Sequence, residues 1–597
     1  MLHTFHIPVM GLGYTVDTPV KVAKYGITSV VSIIEDNLIE QMRKFYSNKF
    51  GYPYEFIAVG DDNHRARRIT GYLNLINDIV NKQYAELFSM NFGTNSELDK
   101  YFMILPAASP LKQKYMRMIT MEESAAKLKL QEELRKEMVK GDIDVNIMTK
   151  CDNPTYDKDG NKLGDEFSDA HSALRGYALS NVNSSMVFSA GLNPRLYSYC
   201  ATFSDFLPNE KGEIKKKIIL KVSDYRSALI QGKFLAKKGL FVSEFRIESG
   251  LNCGGHAFAT DGLLLGPILE EFKEKRDIIK SELLELCNAA LEAKGLSKIP
   301  KDIELKLSVQ GGVGTANEHQ FLLANYNVNS VGWGSPFLLV PEATSVEKNT
   351  LEALATSKPE DFYLSDASPL GVRFNNFKKS TSIKQLKERI AQNRPGSPCV
   401  KEFLAYNTEF TEKPICTASR QYQDLKIKQL EHAGLPEEEL SYQINKVMEK
   451  ECLCEGLSVG TLILSELSDK RRPQGVAVCP GPNLAFFSGV HSLSEMMGHI
   501  YGQINLLNGI KRPSMFVNET VLYIDYLKAE IAKSKANWNK KQEAYFSSFK
   551  ENMLSGLKYY QDLVDKMSKE TEEYKRNIEK DIDNLINRVL SITTQFS

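Results

Sequence analysis

The chain has 597 residues, of which 42% are hydrophobic and 25% charged, and its 75 lysines and arginines equal its 75 aspartates and glutamates. This length allows two or three domains with a large core, and the balanced charge gives no general attraction to nucleic acid or to an anionic membrane. No stretch approaches the roughly 18 apolar residues that span a bilayer, and nine cysteines are too sparse for a disulfide framework. We therefore expect a cytoplasmic protein with reduced thiols that binds neither nucleic acid nor membrane.

Short apolar runs alternate with helical patterns through the first part of the chain. This alternation is typical of βα units whose parallel strands are buried on both faces. Eight strands separated by helices predict a closed (β/α)8 TIM barrel over residues 1–345, a fold that carries its chemistry at the C-terminal strand ends. The candidate strands are residues 5–10, 28–33, 144–148, 185–189, 217–222, 243–249, 303–309 and 329–333.

Three further segments are predicted to be largely helical. Helical periodicity at about 50–140, between the second and third strands, predicts an insertion in the barrel. Residues 346–515 predict an irregular and helical extension. Residues 516–597 carry apolar side chains at helical spacing, which predicts an amphipathic tail folded as a hairpin near Gly556. The tail is interpreted as a layer against the barrel or as a contact surface for a second copy of the chain.

Glycines follow the seventh and eighth strands. Gly311 and Gly312 stand in QGGVGTANEHQ, where they free the backbone to turn tightly, and a helix begins directly afterwards with an N-terminus that favours an anion. The eighth strand ends in VGWGSPFL, where Gly334 and Ser335 offer an N–H and a hydroxyl. Phosphate sites between the loops after strands seven and eight recur in this fold. The pattern predicts a phosphate-bearing ligand; the alternative is that these glycines only permit tight turns.

The first strand carries a weaker nucleotide signal. PVMGLGYTVDTP contains a GxG after a strand, and Glu35 follows about twenty residues later, as in a dinucleotide-binding fingerprint. Val16 replaces the third glycine of that fingerprint, and the next helix begins later than its turn requires. The sequence therefore does not favour a dinucleotide-binding fold.

Five short motifs occur in the following order along the chain: PVMGLG, VNIM, GLNCGGHAF, GGVGTANEHQ and VGWGSPFLLVPEAT. This order resembles the FMN-binding barrel of nitronate monooxygenases (2-nitropropane dioxygenase-like proteins) and of the related flavin-dependent enoyl-acyl carrier protein reductases. The resemblance covers residues 5–377 and is most specific over 216–345. At the sixth strand the family has a glycine, a Glu-Ala pair and then Gly-Gly-His. This chain matches Gly-Gly-His at 254–256, whereas Asn252 and Cys253 replace the pair.

The resemblance implies that FMN is the cofactor. Asn146 would bind the flavin through its amide, and Met10 and Gly11 would lie against the ring. The residues implied to hold the phosphate are Gly311, Gly312, Gly334 and Ser335, with Trp333 preceding the second turn.

The resemblance also implies an activity. His256 would face the substrate side of the flavin as a general base or proton donor, because histidine titrates near neutral pH; the alternative is a structural histidine. The implied reaction is oxidation of a small carbon acid or reduction of an unsaturated acyl compound, with NADH or NADPH as the electron donor.

Two basic features have two interpretations each. Lys221, at the end of the fifth strand, is either a cation near the flavin or an exposed salt-bridging lysine. The basic segment at 61–68 is either a site for an acidic acyl carrier or a solvated face.

Two hypotheses from other classes remain. Four cysteines in the extension lie beside loop-forming residues and offer enough thiolates for an iron-sulfur cluster or zinc, although their spacing is longer than in compact sites. They are Cys416, Cys452, Cys454 and Cys479. Their other interpretation is a set of buried free thiols.

The other hypothesis is a non-catalytic barrel used for assembly, in which Asn252 and Cys253 mark a loss of catalytic activity.

Overall fold

The computed structural model describes residues 2–93, 96–157, 159–189, 191–252, 261–507, 509, 511–534 and 538–594. Eight parallel strands form one sheet in which each strand lies beside its neighbour in sequence, and β1 pairs with β8 through Phe5↔Val331. The sheet closes between β1 and β2 through the bridge Ile7↔Ser29. The strands are β1 (Phe5–His6), β2 (Ser29–Ser32), β3 (Ile143–Met148), β4 (Ser185–Ser189), β5 (Lys217–Val222), β6 (Val242–Glu248), β7 (Lys306–Gln310) and β8 (Ser330–Gly332). The prediction of a (β/α)8 barrel is confirmed.

Helices surround the barrel and bury its outer face, which explains why the strands are apolar on both sides. The barrel helices are α1 (Thr18–Val22), α2 (Asp36–Phe50), α7 (Asp169–Ala178), α8 (Pro194–Cys200), α9 (Tyr225–Ala236), α10 (Leu265–Ala293) and α11 (Ala316–Tyr326). The predicted insertion after β2 consists of α3 (His64–Ser89), α4 (Glu97–Met103), α5 (Pro110–Ile119) and α6 (Ala125–Lys136).

The extension after the barrel combines helices with one small antiparallel sheet. The sheet is formed by β9 (Phe362–Ser365) and β10 (Phe374–Phe377). The helices are α12 (Lys348–Ala355), α13 (Thr381–Ala391), α14 (Arg420–Glu431), α15 (Glu437–Met448), α16 (Leu453–Leu464) and α17 (Leu493–Ile500). One continuous cluster of buried apolar side chains includes residues of the barrel, the extension and the tail. The extension is therefore packed onto the barrel through a shared core.

The described part of the tail contains three helices, α18 (Met515–Ser534), α19 (Lys540–Val564) and α20 (Glu572–Leu590). The expected hairpin near Gly556 is wrong, because α19 continues through this glycine. A Cβ at Gly556 would lie 2.8 Å from Cδ1 of Leu264, so the missing side chain allows α19 to approach the start of α10. The tail packs against the barrel of the same chain, and a contact with a second copy stays a prediction. None of the described helices has the length and apolar character needed to cross a membrane.

Candidate active site

A cavity lies at the carboxyl ends of the barrel strands, between the barrel mouth and the extension. Side chains of five neighbouring strands form its floor, and apolar side chains of the extension form its roof. The floor residues are Ser32, Asn146, Met148, Ser189, Lys221 and Glu248. The roof residues include Leu370, Phe374, Phe403, Leu404, Leu453 and Leu457. Because barrels of this fold carry their chemistry at the carboxyl strand ends, this cavity is the candidate active site.

The alternation of side chains along each strand aims polar groups at the barrel axis. Below the cavity, Nη2 of Arg246 lies 2.8 Å from Oε1 of Glu244 and 4.0 Å from Oδ2 of Asp144. Burial, with a contribution from Asp142, raises the pKa of Asp144 to about 7. These side chains fill the interior of the barrel, which confines the space for a ligand to its mouth.

A buried ion pair forms the polar part of the floor. Nζ of Lys221 lies 2.6 Å from Oε1 of Glu248, and both side chains are at most 15% exposed. Nε2 of Gln310 donates to the same carboxylate oxygen at 2.6 Å and to Oδ1 of Asn252 at 2.8 Å. The amide of Asn252 also donates to Glu248. Lys221 is thus a buried partner of Glu248, and its interpretation as an exposed lysine is wrong.

Asn146 brings an unsatisfied acceptor to the cavity. Its side chain is 5% exposed, and its Oδ1 has no hydrogen-bond partner among the described residues. A buried amide oxygen without a partner costs about 1–3 kcal/mol. A ligand that presents an N–H or O–H to this oxygen would remove that cost. Asn146 is therefore placed as a ligand-binding residue would be.

Glu35 forms a second polar feature on the cavity wall. It directly precedes α2, and its Oε2 accepts a hydrogen bond of 3.0 Å from the N–H of Leu38. Nζ of Lys401, from the extension, lies 3.3 Å from the same oxygen and 3.3 Å from Oε2 of Glu455. Sequence reasoning assigned neither Lys401 nor Glu455 to the site.

Two arginines, of which Arg68 is buried and Arg65 is half-buried, hold the start of α2 in place. Nη1 of Arg68 lies 2.7 Å from Oδ2 of Asp36, and Arg68 is 2% exposed. Nε of Arg65 lies 3.2 Å from Oδ1 of the same aspartate. Both arginines come from the basic segment at 61–68, so its interpretation as a solvated face is wrong for them. Their ion pairs fix the turn that carries Glu35.

The two predicted glycine turns lie side by side at the same rim, since Gln310 of β7 pairs with Gly332 of β8. Gly312 has φ +81°, and a Cβ there would lie 2.6 Å from Cδ1 of Leu251. The hydroxyl oxygen of Ser335 accepts a hydrogen bond of 2.7 Å from the N–H of Gly481. The extension therefore crosses directly above this rim. Gly311 and Gly334 precede Gly312 and Ser335 in the same two turns.

Arg512 lies beside these turns and was not found by sequence reasoning. Its Nη2 donates to the carbonyl of Gly312 at 2.5 Å, and its Nη1 lies 2.8 Å from Oε1 of Glu318. Glu318 also accepts from the N–H of Gly314 at 2.9 Å. The positive charge and the N–H groups at this rim are thus partly paired within the chain. Nothing in the local sequence of Arg512 indicates its position, because Gly312 and Glu318 lie about two hundred residues away.

The remaining implied ligands occupy different places. Gly11 lies in the cavity wall. Met10 is 2% exposed and belongs to the main core cluster. Trp333 lies against α11, where its Nε1 donates to Nδ1 of His319 at 3.0 Å, and it does not line the cavity. His256 lies outside the described residues.

The cysteines of the extension do not form a recognisable metal site. Across the described part of the chain, no group of three or more His, Cys, Asp or Glu side chains is arranged to hold a metal ion. Cys454 lines the cavity, and burial raises its pKa well above the usual value for a thiol. Cys416, Cys452 and Cys479 take part in no disulfide among the residues that the structure describes. No observation favours the iron-sulfur or zinc hypothesis over buried thiols.

Comparison with known proteins finds distant structural similarity only. No family model and no curated protein matches this chain. The chain is similar to the crystal structure of the enoyl reductase domain of MlnA from the macrolactin biosynthesis cluster of Bacillus amyloliquefaciens, with 14% sequence identity and a TM-score of 0.32. The match covers 71% of this chain and 88% of that one.

Proposed function

We propose that this protein is an FMN-dependent oxidoreductase that acts on a small carbon acid or an unsaturated acyl compound. The main support is the unpaired Oδ1 of Asn146 in a largely apolar cavity at the mouth of the barrel. A planar heterocycle with an N–H on its edge satisfies such an acceptor, and the isoalloxazine of FMN has such an edge. Lys221 adds a buried cation on the same floor.

FMN, when bound, supplies the hydride or electron transfer. Asn146 would orient the ring by accepting a hydrogen bond. Gly11 would allow the ring to approach the backbone closely, because no side chain stands there. The roof, including Phe374 and Phe403, would exclude water, which strengthens the polar interactions inside the cavity.

The neighbouring turns after β7 and β8 support binding of the phosphate. Gly311, Gly312, Gly334 and Ser335 lie side by side at the carboxyl ends of β7 and β8, and none of the four lines the cavity itself. The hydrogen bond from Gly481 uses the oxygen of Ser335, so its hydroxyl proton is free to be donated to a phosphate oxygen. Trp333, in contrast, would act through the packing of β8 rather than by contact. We retain His256 as a residue that transfers protons on the substrate side of the flavin, as the resemblance implies.

The decisive experiment identifies the cofactor before any substrate is tested. Purified protein should absorb near ~450 nm, as flavoproteins do, and mass spectrometry of the released compound should identify FMN. Anaerobic addition of NADH and then of NADPH should bleach the absorbance with one of the two donors. Colourless protein that takes up no FMN on reconstitution would overturn the proposal.

A further inference from the structure

Glu35 has a free carboxylate oxygen in the cavity wall. The residue is 2% exposed, and its Oε1 has no hydrogen-bond partner within the described residues. Its other oxygen is held by the N–H of Leu38 and by Lys401. One oxygen is thus fixed by the protein, whereas the other is buried beside the ligand space. A ligand group that exchanges a proton with Oε1 would satisfy it.

The surroundings of Glu35 allow its carboxyl to hold or to release a proton. Two carboxylates, Glu35 and Glu455, share the single ammonium of Lys401. Burial raises the pKa of Glu35; Lys401 partly lowers it, and Asp36 adds to the rise. Burial opposes the charge of Lys401, but the two glutamates outweigh it and raise the pKa of this lysine. The two ionised glutamates therefore favour a charged Lys401, and Lys401 in turn favours the charged form of Glu35.

The charges around the cavity select for a neutral ligand. Among the residues that the structure describes, the charged side chains in its lining are two glutamates, Glu35 and Glu248, and two lysines, Lys150 and Lys221. Just behind them, Lys401 is offset by Glu455. A buried site with balanced charges offers no surplus charge to compensate for the desolvation of an ionic ligand. A neutral compound with an apolar body fits the roof better.

We propose that Glu35 is a catalytic acid-base residue that exchanges a proton with a carbon atom of a neutral carbon acid bound in the cavity. This inference rests on the proposed function and specifies its substrate class. In the forward step the carboxylate takes H⁺ from the carbon: the C–H bond breaks, an O–H bond forms on Oε1, and the electron pair moves into the adjacent nitro or carbonyl group. The reverse step returns the proton. The ligand gains the negative charge that Glu35 loses, so the net charge of the buried site does not change.

The test uses proton exchange, which needs no flavin reduction. Full-length protein is incubated with nitroethane in D2O, and ¹H NMR follows the loss of the α-hydrogen signal relative to a sample without protein. We expect the wild type to accelerate this exchange. The variant Glu35→Gln retains an acceptor for the N–H of Leu38 and should slow the catalysed exchange by about a hundredfold or more. Glu35→Asp, which keeps an acid, should recover part of the rate.

The matched control is Glu451→Gln. Like Glu35, Glu451 is a buried glutamate, with 4% exposure, but it belongs to the extension. Its carboxylate accepts hydrogen bonds from Asn376 and Ser382, and the residue does not line the cavity. This variant should exchange nitroethane at the wild-type rate. Thermal unfolding of each variant verifies that it is folded.

The FMN content of every sample is measured separately. Exchange that is absent in the wild type, or that is equal in the wild type and Glu35→Gln, overturns the role of Glu35 even if FMN is bound. Glu35-dependent exchange by a protein that takes up no FMN supports the role of Glu35 and overturns the proposed oxidoreductase function. The two proposals therefore fail by different results.

Discussion

The hydroxyl oxygen of Ser335, just after the last barrel strand, accepts a hydrogen bond of 2.7 Å from the N–H of Gly481 in the extension. The two residues are 146 positions apart in sequence, and Gly481 also packs closely on the carbonyl oxygen of Leu251. Both contacts lie at the rim at the carboxyl end of the barrel, although none of the three residues lines the candidate active-site cavity. This rim is where the extension is attached to the barrel mouth, so one hydroxyl belongs both to the proposed phosphate site and to the attachment of the roof.

Replacing Ser335 by alanine should therefore have two effects. The N–H of Gly481 would lose its acceptor in a buried position, which should reduce the free energy of unfolding by about 1–3 kcal/mol. FMN affinity should also fall. Urea denaturation and fluorescence titration with FMN measure the two effects. Ser198→Ala is the control, because Ser198 donates to the carbonyl of Pro194 in an exposed position. A stability of Ser335→Ala equal to that of this control would contradict the expectation.

Asn146→Leu should change stability and cofactor affinity in opposite directions. Leucine removes the unpaired buried oxygen, so the cofactor-free protein should become more stable by about 1 kcal/mol. FMN should bind at least about tenfold more weakly, which corresponds to the loss of one hydrogen bond to the ring. Asn375→Leu is the comparison: Nδ2 of Asn375 also lacks a described partner, but the residue does not line the active-site cavity. If both variants bound FMN like the wild type, Asn146 would have no role in cofactor binding.

Gly312→Ala should destabilise the protein more than a glycine substitution at an open site. The backbone at Gly312 has φ +81°, and the new Cβ would lie 2.6 Å from Cδ1 of Leu251. Gly51 has a similar φ of +71°, but no atom lies within 4 Å of the point that a Cβ would occupy, so Gly51→Ala isolates the backbone cost. That cost is about 1–2 kcal/mol, and the steric overlap at Gly312 should add about 1–3 kcal/mol. Equal denaturation midpoints for the two variants would show that Leu251 moves away freely.

His319 should make stability depend on pH in the acidic range. Its Nδ1 accepts from the indole of Trp333 at 3.0 Å, so the ring is neutral, and burial lowers its pKa from 6.5 to about 3. A lowered histidine pKa contributes stability that is present above pH 6.5 and is lost as the pH falls toward 3. His319→Leu should be less stable than the wild type at pH 8, because Trp333 loses its acceptor, and should lose less stability on acidification. Urea denaturation from pH 8 to 4 measures both slopes.

The control for this pH series is the exposed His432, whose replacement by leucine should leave the wild-type slope unchanged. Parallel stability curves for His319→Leu and the wild type would contradict the assignment of a neutral, buried imidazole.

Local patterns predicted the barrel, and long-range contacts limited the prediction of the site. The eight strands followed from apolar runs between helices, and a helix was correctly expected soon after the glycines that follow β7, where the side chain of Thr315 accepts from the N–H of Glu318. These features depend on neighbouring residues. Lys401 could not be assigned to Glu35, because 366 residues separate them and neither local sequence indicates the other. Glu35 was considered only as part of a dinucleotide fingerprint.

Asn252 illustrates the same limit at the sixth strand. It stands where the flavin-enzyme family that the chain resembles has an acidic residue. This difference was one basis for the hypothesis that the barrel is non-catalytic. In the structure a carboxylate is nevertheless present at this point, because Glu248 lies four positions earlier and accepts from the amide of Asn252. The period of two along β6 points Glu248 into the mouth, a relationship that a motif comparison does not contain.

The roof over the candidate active site has a consequence for how this protein could diversify. Its apolar residues belong to a segment that is not required to close the eight-stranded sheet, whereas the polar floor is built into the strands. Substitutions at Leu370, Phe403 or Leu457 can therefore reshape the space for a ligand and leave the strand pairing intact. The shape of the ligand space and the pairing of the barrel strands are thus encoded largely in separate stretches of the gene.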